Sequence, residues 1–178
     1  MKYFLREISR GDIFAINQWR NDPAVISELG APFRFINQEV DDSWYASYLG
    51  VRNNNVRLAI ACRDDKKIVG AVYLTGIDWI ARSAEFSIWI GDQHHQGKGA
   101  GKMAAQGMLK HAFVDLGLNR IYLTVLESND RARSLYARVG FSTEGVLREA
   151  VFKCGKFSNL IQMSILASEF KITESNDS

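Results

Sequence analysis

Three glycines at alternate positions stand at the start of a helical segment in the middle of the chain. They belong to the run QGKGAG at residues 96–101, which follows a strand-like segment. Glycine lets backbone N–H groups approach an anion closely, and a helix N-terminus adds the positive end of its dipole. Lys98 and Lys102 add positive charge to the same turn. This chemistry suits a phosphate or a pyrophosphate.

Two familiar phosphate-binding loops fit this run badly. A Walker A motif requires a glycine where Gln96 stands and a Ser or Thr where Met103 stands. A dinucleotide-binding fingerprint requires a third glycine where Lys102 stands, and it does not follow an antiparallel meander. A glycine-rich turn that binds no ligand is the simplest alternative, although three alternate glycines opening a helix are uncommon.

The elements around this turn are those of a mixed α/β (α+β) domain. Periodicity and capping residues predict, in chain order, a strand, two helices, three strands, a helix, a strand, a helix and two strands. Period-two alternation over residues 83–90 predicts the strand that enters the glycine turn. Asn37 is predicted to begin a helix, and Gly117 and Gly140 are predicted to end helices. The order implies an antiparallel meander with at least one crossover.

Length and composition exclude several classes of protein. The chain has 178 residues, of which 47% are hydrophobic and 24% are charged, and its formal net charge is +2. One globular domain over residues 1–172 is expected, with a disordered polar tail at 173–178. The balanced charge gives no reason to expect nucleic acid or an anionic membrane.

Cysteine usage and hydropathy complete the exclusions. Cys62 and Cys154 are too few for a disulfide framework or a four-ligand zinc site. No apolar run reaches the 18 or so residues that a membrane span needs. A cytoplasmic protein without a metal is therefore expected.

Three motifs in order carry a resemblance to a known family. The glycine run is similar to the Gln/Arg-x-x-Gly-x-Gly/Ala motif of the GNAT N-acetyltransferases. Residues 129–141 (NDRARSLYARVGF) resemble that family's Asn-x-x-Ala-x-x-Leu-Tyr-x-x-x-Gly-Phe segment. Residues 145–150 (GVLREA) and 19–23 (WRNDP) resemble the branch that contains ribosomal-protein and spermidine acetyltransferases.

The resemblance implies a GNAT fold, with a mostly antiparallel twisted sheet of six or seven strands flanked by helices. It implies acetyl-CoA as the cosubstrate, with the pyrophosphate on the backbone amides of the glycine turn. The pantetheine arm would bind the backbone of the preceding strand, which a bulge splays from its neighbour. The implied cofactor-binding residues are Ile88, Trp89, Ile90, Gln96, Gly97, Lys98, Gly99, Ala100, Gly101, Lys102 and Asn129.

Acetyl transfer also needs proton chemistry. An alkyl ammonium with a pKa of about 10.4 is almost wholly protonated at neutral pH, whereas the attacking amine must be neutral. Glu85 shares the polar face of its strand with Ser87 and resembles the family's glutamate in an Ala-Glu-Phe context. It is the candidate base, and a solvent-facing glutamate is the alternative.

Two further residues have paired interpretations. Tyr136 matches the family's proton donor to the leaving thiolate, and a packed core tyrosine is the alternative. Asn129 could hydrogen-bond the cofactor or cap its helix. His94 and His95 suit a metal poorly, because adjacent side chains point apart, and packing of His95 near the cofactor is expected instead.

The acceptor side of the site is less defined by the sequence. Glu28, Asp41 and Asp42 could attract a polyamine or a basic peptide, or they could form a solvated face. Five aromatic residues either wall the acceptor pocket or belong to the core: Phe33, Phe35, Trp44, Tyr45 and Tyr48.

The expected function is acetyl transfer from acetyl-CoA to a primary amine by direct attack. A peptide or protein N-terminal amine is slightly favoured as the acceptor on the branch resemblance, with a polyamine and an amino sugar still open. A homodimer is plausible. The alternatives are a noncatalytic acetyl-CoA-binding sensor or assembly module, and a binding protein for another phosphorylated ligand.

Overall fold

The computed structural model describes residues 2–171, and all of its strands belong to one sheet. The sheet has the order β1-β2-β3-β4-β5-β7-β6, and only β4 and β5 run parallel. The mostly antiparallel sheet that was predicted is therefore confirmed. Residue 172 and the predicted tail at 173–178 lie outside the described residues. The strands are β1 (Tyr3–Glu7), β2 (Val56–Cys62), β3 (Ile68–Asp78), β4 (Ser83–Ile90), β5 (Arg120–Leu126), β6 (Ser142–Lys153) and β7 (Lys156–Leu166).

Five α-helices flank the sheet. Their order agrees with the sequence prediction, with a short separate helix after Pro23. Asn37 begins α3 as predicted, because its Oδ1 accepts a hydrogen bond from the Val40 amide at 3.0 Å. The helix before Gly117 (φ +62°) ends in a π-helical turn, His111–Asp115, that the sequence did not indicate. The helices are α1 (Ile13–Arg20), α2 (Pro23–Ser27), α3 (Gln38–Gly50), α4 (Ala100–Lys110) and α5 (Asp130–Arg138).

Each face of the sheet buries its own apolar core. The larger core lies under α4 and α5 and includes Phe86 of β4 and Met108 of α4. The smaller core lies under α1 and α3 and includes Ile16 of α1 and Tyr73 of β3. Residues of β4 alternate between the two, as period-two alternation predicts. A side chain on β4 therefore belongs either to the α4–α5 face or to the α1–α3 face.

Strands β4 and β5 separate after three paired residues. Residues 83–85 pair with residues 120–122, whereas residues 86–90 pair only with β3 and residues 123–126 only with β7. The facing edges of β4 and β5 thus leave a gap in the sheet. The bulge that the resemblance implied for β4 is not seen in the pairing of residues 85–90, which is regular with β3. A separate bulge lies in β3, where Gly76 and Ile77 oppose the single residue Ala84. Gly76 has a φ of +59°, which supplies the left-handed backbone that suits such an insertion.

Candidate active site

A cleft of about 860 Å³ passes through the gap between β4 and β5. Lys98 and Ala100 are the two predicted site residues that do not line it; Lys98 is exposed and Ala100 is buried beneath the glycine turn. The other predicted residues are brought together on its walls: Glu85, Ile88, Trp89, Ile90, Gln96, Gly97, Gly99, Gly101, Lys102, Asn129 and Tyr136.

The cleft has two ends. The cofactor end is formed by residues 86–90, by the glycine turn at 96–102 and by α5. The acceptor end is formed by residues of α1, α3, β2 and β3 and by the segment 28–36. Glu85 lies between these two ends, at the last paired position of β4 and β5.

The glycine turn at the cofactor end is built for an anion. Gly97 and Gly99 have φ values of +71° and +88°, and a Cβ at either position would meet no atom within 4 Å. These glycines are therefore needed for their left-handed backbone and not because of crowding. Gly99 begins α4 without a side-chain cap, and the first amides of a helix have no partner within it. The turn thus offers free N–H groups that fit a pyrophosphate.

Arg131 is a cofactor-end residue that the sequence analysis missed. Its Nη1 donates to Gln96 Oε1 at 2.8 Å, and Gln96 Nε2 donates to the Ile90 carbonyl at 3.2 Å. The Gln96 side chain therefore links the end of β4 to the first turn of α5. The sequence feature that could have indicated this residue is a positive charge in the first turn of α5, because that turn contacts the glycine turn.

Glu85 and Tyr136 approach the gap from opposite faces of the sheet. Glu85 is exposed on the α1–α3 face, which it shares with Ser87, the partner of Tyr73. Tyr136 is buried on the α4–α5 face, with its ring edge-on to Phe86 at a centroid distance of 6.2 Å. A base can thus act on one side of β4 while an acid acts on the other.

The buried position of Tyr136 keeps its hydroxyl protonated. Burial raises the pKa of Tyr136 to about 12. No hydrogen bond to this hydroxyl is formed by any residue between 2 and 171, although Tyr136 lines the cleft. The structure therefore shows the packing role of Tyr136, and the donor role stays a prediction.

Asn129 acts as a helix cap in this structure. Its Oδ1 accepts from the Ala132 amide at 2.9 Å, at the start of α5, and its Nδ2 donates to the Glu28 carbonyl at 2.9 Å. Asn129 therefore ties the cofactor end to the segment that carries Glu28.

The Trp-Arg-Asn-Asp-Pro segment holds the acceptor end together. Trp19 packs edge-on against Trp89 at a centroid distance of 5.6 Å, and a Cβ at Gly91 would lie 2.0 Å from the Trp19 ring. Asn21 binds both backbone groups of Ile36, accepting at 3.1 Å and donating at 2.7 Å. These contacts fix the segment that leads from α2 to α3.

The acidic side chains of this region differ in burial and in whether they line the cleft. Asp41 is completely buried, pairs with Arg20 and accepts a hydrogen bond from Asn17 Nδ2 at 2.7 Å. It is therefore a structural group and not a free attractant for an amine. Glu28 lines the cleft, whereas Asp42 does not.

The aromatic residues divide in the same way. Trp44 lines the cleft, and Tyr48 is buried and donates to Glu7 Oε1 at 3.0 Å. Phe33 and Phe35 pack against each other at a centroid distance of 4.8 Å. Of the five aromatic candidates, only Trp44 is a lining residue within the described chain: Phe33, Phe35, Tyr45 and Tyr48 are not.

His95 lies beside the cofactor end, as expected for packing near the cofactor. Its Nδ1 is 3.0 Å from the Tyr3 hydroxyl, and its ring lines the cleft, whereas His94 is exposed outside it. Residues 2–171 contain no group of three or more His, Cys, Asp or Glu side chains placed to hold a metal ion.

Comparisons with known proteins establish the family. The family model described as an acetyltransferase (GNAT) domain matches residues 2–142, so the chain belongs to the GNAT acetyltransferases. Spermidine N(1)-acetyltransferase of Vibrio cholerae is 32% identical over 166 residues, which cover 93% of this chain and 94% of the relative. The Escherichia coli K12 enzyme of the same name is 31% identical, with 93% and 87% covered.

Solved structures and a second class of relatives agree with this assignment. The crystal structure of the Vibrio cholerae spermidine N-acetyltransferase in complex with CoA and spermine has a TM-score of 0.87 and 31% identity, with 94% of this chain and 97% of that chain covered. The ribosomal-protein-serine acetyltransferase of Escherichia coli K12 is 27% identical over 49% of each chain.

The chain is thus an acetyl-CoA-dependent N-acetyltransferase. The predicted fold, cosubstrate and reaction class are confirmed. No helix between residues 2 and 171 is both long and apolar enough to span a bilayer.

Proposed function

We propose that this chain acetylates a primary amine of a polyamine, with Glu85 as the general base and Tyr136 as the general acid. The observation that carries the proposal is the placement of these two residues on opposite faces of β4, at the gap where β4 and β5 separate. The named relatives act on spermidine, and the carboxylates of Glu28 and Glu85 line the cleft. A polyamine therefore replaces the peptide amine that the sequence slightly favoured.

Each residue has a defined task in this mechanism. Acetyl-CoA, when bound, supplies the acetyl group as an activated thioester. Glu85 takes a proton from the acceptor ammonium, directly or through water, so that the neutral nitrogen can form its bond to the acetyl carbon. Tyr136 supplies a proton to the sulfur as the carbon–sulfur bond breaks. The second proton that the nitrogen loses on becoming an amide passes to water, and a proton from water restores the Tyr136 hydroxyl.

The cofactor-binding residues would position the thioester for this attack. We assign the pyrophosphate to the amides of the glycine turn, with Lys102 and Arg131 beside it, and the pantetheine arm to the free edge of residues 88–90. Direct attack needs no enzyme nucleophile. Cys62 is buried and Cys154 is exposed, and neither lines the cleft, which agrees with this assignment.

Thiol release from acetyl-CoA tests the acceptor. We expect spermidine and spermine to support release, and N-terminal peptides and amino sugars to support it less well. Release with peptides alone would contradict the polyamine assignment and leave the transferase intact.

The role of Glu85 is tested with Glu85→Gln. We expect kcat/KM for the acceptor to fall by about 10²-fold, with the acetyl-CoA Kd unchanged. Glu39→Gln is the matched control, because Glu39 is exposed in the first turn of α3 and does not line the cleft. An unchanged rate for Glu85→Gln from pH 6 to pH 9 would remove Glu85 from the mechanism.

The homodimer and the cytoplasmic location stay predictions. Strand β6 is one of the two edge strands of the sheet, the other being β1, and it exposes Val146, Leu147 and Phe152. We infer that a second copy would cover this edge, since exposed apolar edge strands favour pairing. Sedimentation velocity would measure the oligomeric state.

A further inference from the structure

Arg57 stands in the acceptor end of the cleft, in the same row of the sheet as the reacting groups. Arg57 of β2 pairs with Tyr73 of β3, which in turn pairs with Ser87 of β4. Paired residues point to the same face, so Arg57 lies on the face that Glu85 and Ser87 share. Arg57, Tyr73 and Ser87 all line the cleft.

The guanidinium of Arg57 is surrounded by aromatic rings. Its Cζ lies 4.9 Å from the ring centroid of Trp44, 4.8 Å from that of Tyr73 and 5.6 Å from that of Tyr48. Aromatic faces stabilise a cation, but they do not accept its directed N–H hydrogen bonds as an oxygen would.

No anion of the described chain neutralises Arg57. Its Nε is buried without a hydrogen-bond partner, and no residue between 2 and 171 forms an ion pair with its guanidinium. Partial burial lowers the pKa of Arg57, and the neighbouring charge of Arg20 acts in the same direction. A partly buried cation without an anion is costly in free energy.

Other partly buried arginines of the molecule do have a carboxylate. Arg6 pairs with Asp12 at 2.6 Å, and Arg20 pairs with the buried Asp41. Arg20 and Arg57 both line the cleft, but Arg57 differs from Arg6 and Arg20 because it forms no ion pair with any residue between 2 and 171. An anion for Arg57 can therefore be supplied from the cleft by a ligand.

We propose that Arg57 binds a carboxylate or phosphate group of an acceptor, so that amines bearing a distant anionic group form a further class of substrates. This inference rests on the proposed function, because the amine is acetylated at the same Glu85 site. Glu28 and Arg57 give the acceptor end walls of opposite charge, and an acceptor with a cationic tail is drawn to Glu28.

The sheet sets the spacing between the amine and the anion. Ser87 and Arg57 are two strands apart, which corresponds to roughly 10 Å between their backbones. The arginine side chain shortens the distance that the ligand must span. The amine and the anion should therefore be separated by several bonds, as in 6-aminohexanoate, and not by the two bonds of an α-amino acid.

Matched acceptors test this inference with the full chain. The carboxylate arm compares three amines whose far ends differ in charge: hexylamine is neutral, 6-aminohexanoate is anionic and cadaverine is cationic. The phosphate arm compares glucosamine 6-phosphate with glucosamine. In at least one arm we expect the anionic amine to exceed its neutral partner by tenfold or more in kcat/KM. The arm that responds identifies carboxylate or phosphate as the anion.

Variants at Arg57 connect this selectivity to the residue. We expect R57M to reduce the preference for the anionic amine to within about twofold and to raise kcat/KM for cadaverine. We expect R57K to retain part of the preference. R52M is the control, since Arg52 contacts Glu7 and the Tyr48 ring but does not line the cleft. An unchanged acetyl-CoA Kd shows that each variant is folded. The comparison of acceptors is made on the unaltered chain, so it does not depend on the folding of any variant.

The outcomes separate the two proposals. Equal use of anionic and neutral amines in both arms, or a preference that survives R57M, overturns the role of Arg57. If spermidine is acetylated but neither anionic amine is, this inference is overturned and the proposed function stands. If none of the amines supports thiol release while acetyl-CoA still binds, both the proposed function and this inference are overturned.

Discussion

The cofactor end and the acceptor end of the cleft are built by different means. The cofactor end comes largely from the continuous segment of β4 and the glycine turn, and it presents backbone groups. The acceptor end combines side chains from α1, α3, β2 and β3, which hold one another in place. Backbone recognition is set by a local motif, whereas side-chain recognition depends on which distant residues meet. One scaffold can thus keep its cosubstrate while its acceptor changes.

The largest expected effect tests the side-chain framework of the acceptor end. Asp41→Asn removes the buried anion that Arg20 pairs with, so an uncompensated cation is left beside Arg57. We expect the free energy of unfolding to fall by about 3 kcal/mol and the acceptor KM to rise, with the acetyl-CoA Kd unchanged.

Denaturant titration and initial rates measure these changes. Asp42→Asn is the control, because among residues 2–171 Asp42 accepts one long hydrogen bond, at 3.4 Å from Gln38. Equal losses in the two variants would show that Asp41 has no special structural role.

The next effect tests whether the cofactor end contributes a side chain to the chemistry. Tyr136→Phe keeps the ring packed against Phe86 and removes only the hydroxyl. We expect kcat to fall by about 10²-fold with little change in stability. Because the pKa of Tyr136 is about 12, its ionisation should not limit the rate of the unaltered enzyme near neutral pH.

Steady-state rates from pH 6 to pH 10 check both statements. Tyr122→Phe is the control, as Tyr122 lies on β5 and does not line the cleft. Little loss of acetyl transfer in Tyr136→Phe would leave only the packing role.

A smaller effect tests the backbone character of the cofactor end. Gly99→Ala places a side chain at φ +88°, at a cost of about 1–2 kcal/mol. We expect acetyl-CoA to bind roughly tenfold more weakly and the acceptor KM to change little. Calorimetry with acetyl-CoA measures the loss, with Gly145→Ala as the control, because a Cβ there meets no atom within 4 Å and Gly145 has no positive φ. A rise in acceptor KM alone would contradict the division between the two ends.

The smallest effect concerns the residue that joins the two ends. Asn129→Asp keeps the oxygen that caps α5 and loses the donation to the Glu28 carbonyl. We expect the acceptor KM to rise about fivefold, which corresponds to about 1 kcal/mol. Asn129→Ala should in addition lower the free energy of unfolding by about 1 kcal/mol. A weaker acetyl-CoA Kd in the Asp variant would instead favour the cofactor contact that the sequence left open for Asn129.

The same division decides what could be predicted from the sequence. Alternation in β4, the Asn37 cap and the left-handed Gly117 are local features, and each agrees with the structure. The bulge in β3 was not predicted, because its position depends on the pairing of two strands.

The acceptor end was the harder part for a physical reason. Asp41 was considered as a free carboxylate, but its partner Arg20 is 21 positions away and is brought to it only by the packing of α1 and α3. Arg57 gave no signal at all, since its aromatic surroundings come from α3 and β3. Long-range contacts of this kind have no periodicity or spacing in the sequence.

The opposed positions of Glu85 and Tyr136 across β4 have a consequence for the kinetic order of the reaction. In the proposed mechanism the acceptor binds on the face of Glu85 and the thiol leaves on the face of Tyr136, so neither substrate has to leave before the other enters. Direct attack requires both substrates to be present together, because in that mechanism no enzyme group carries the acetyl between them. Double-reciprocal plots at several fixed concentrations of the second substrate should therefore intersect, whereas parallel lines would require a stored acetyl group.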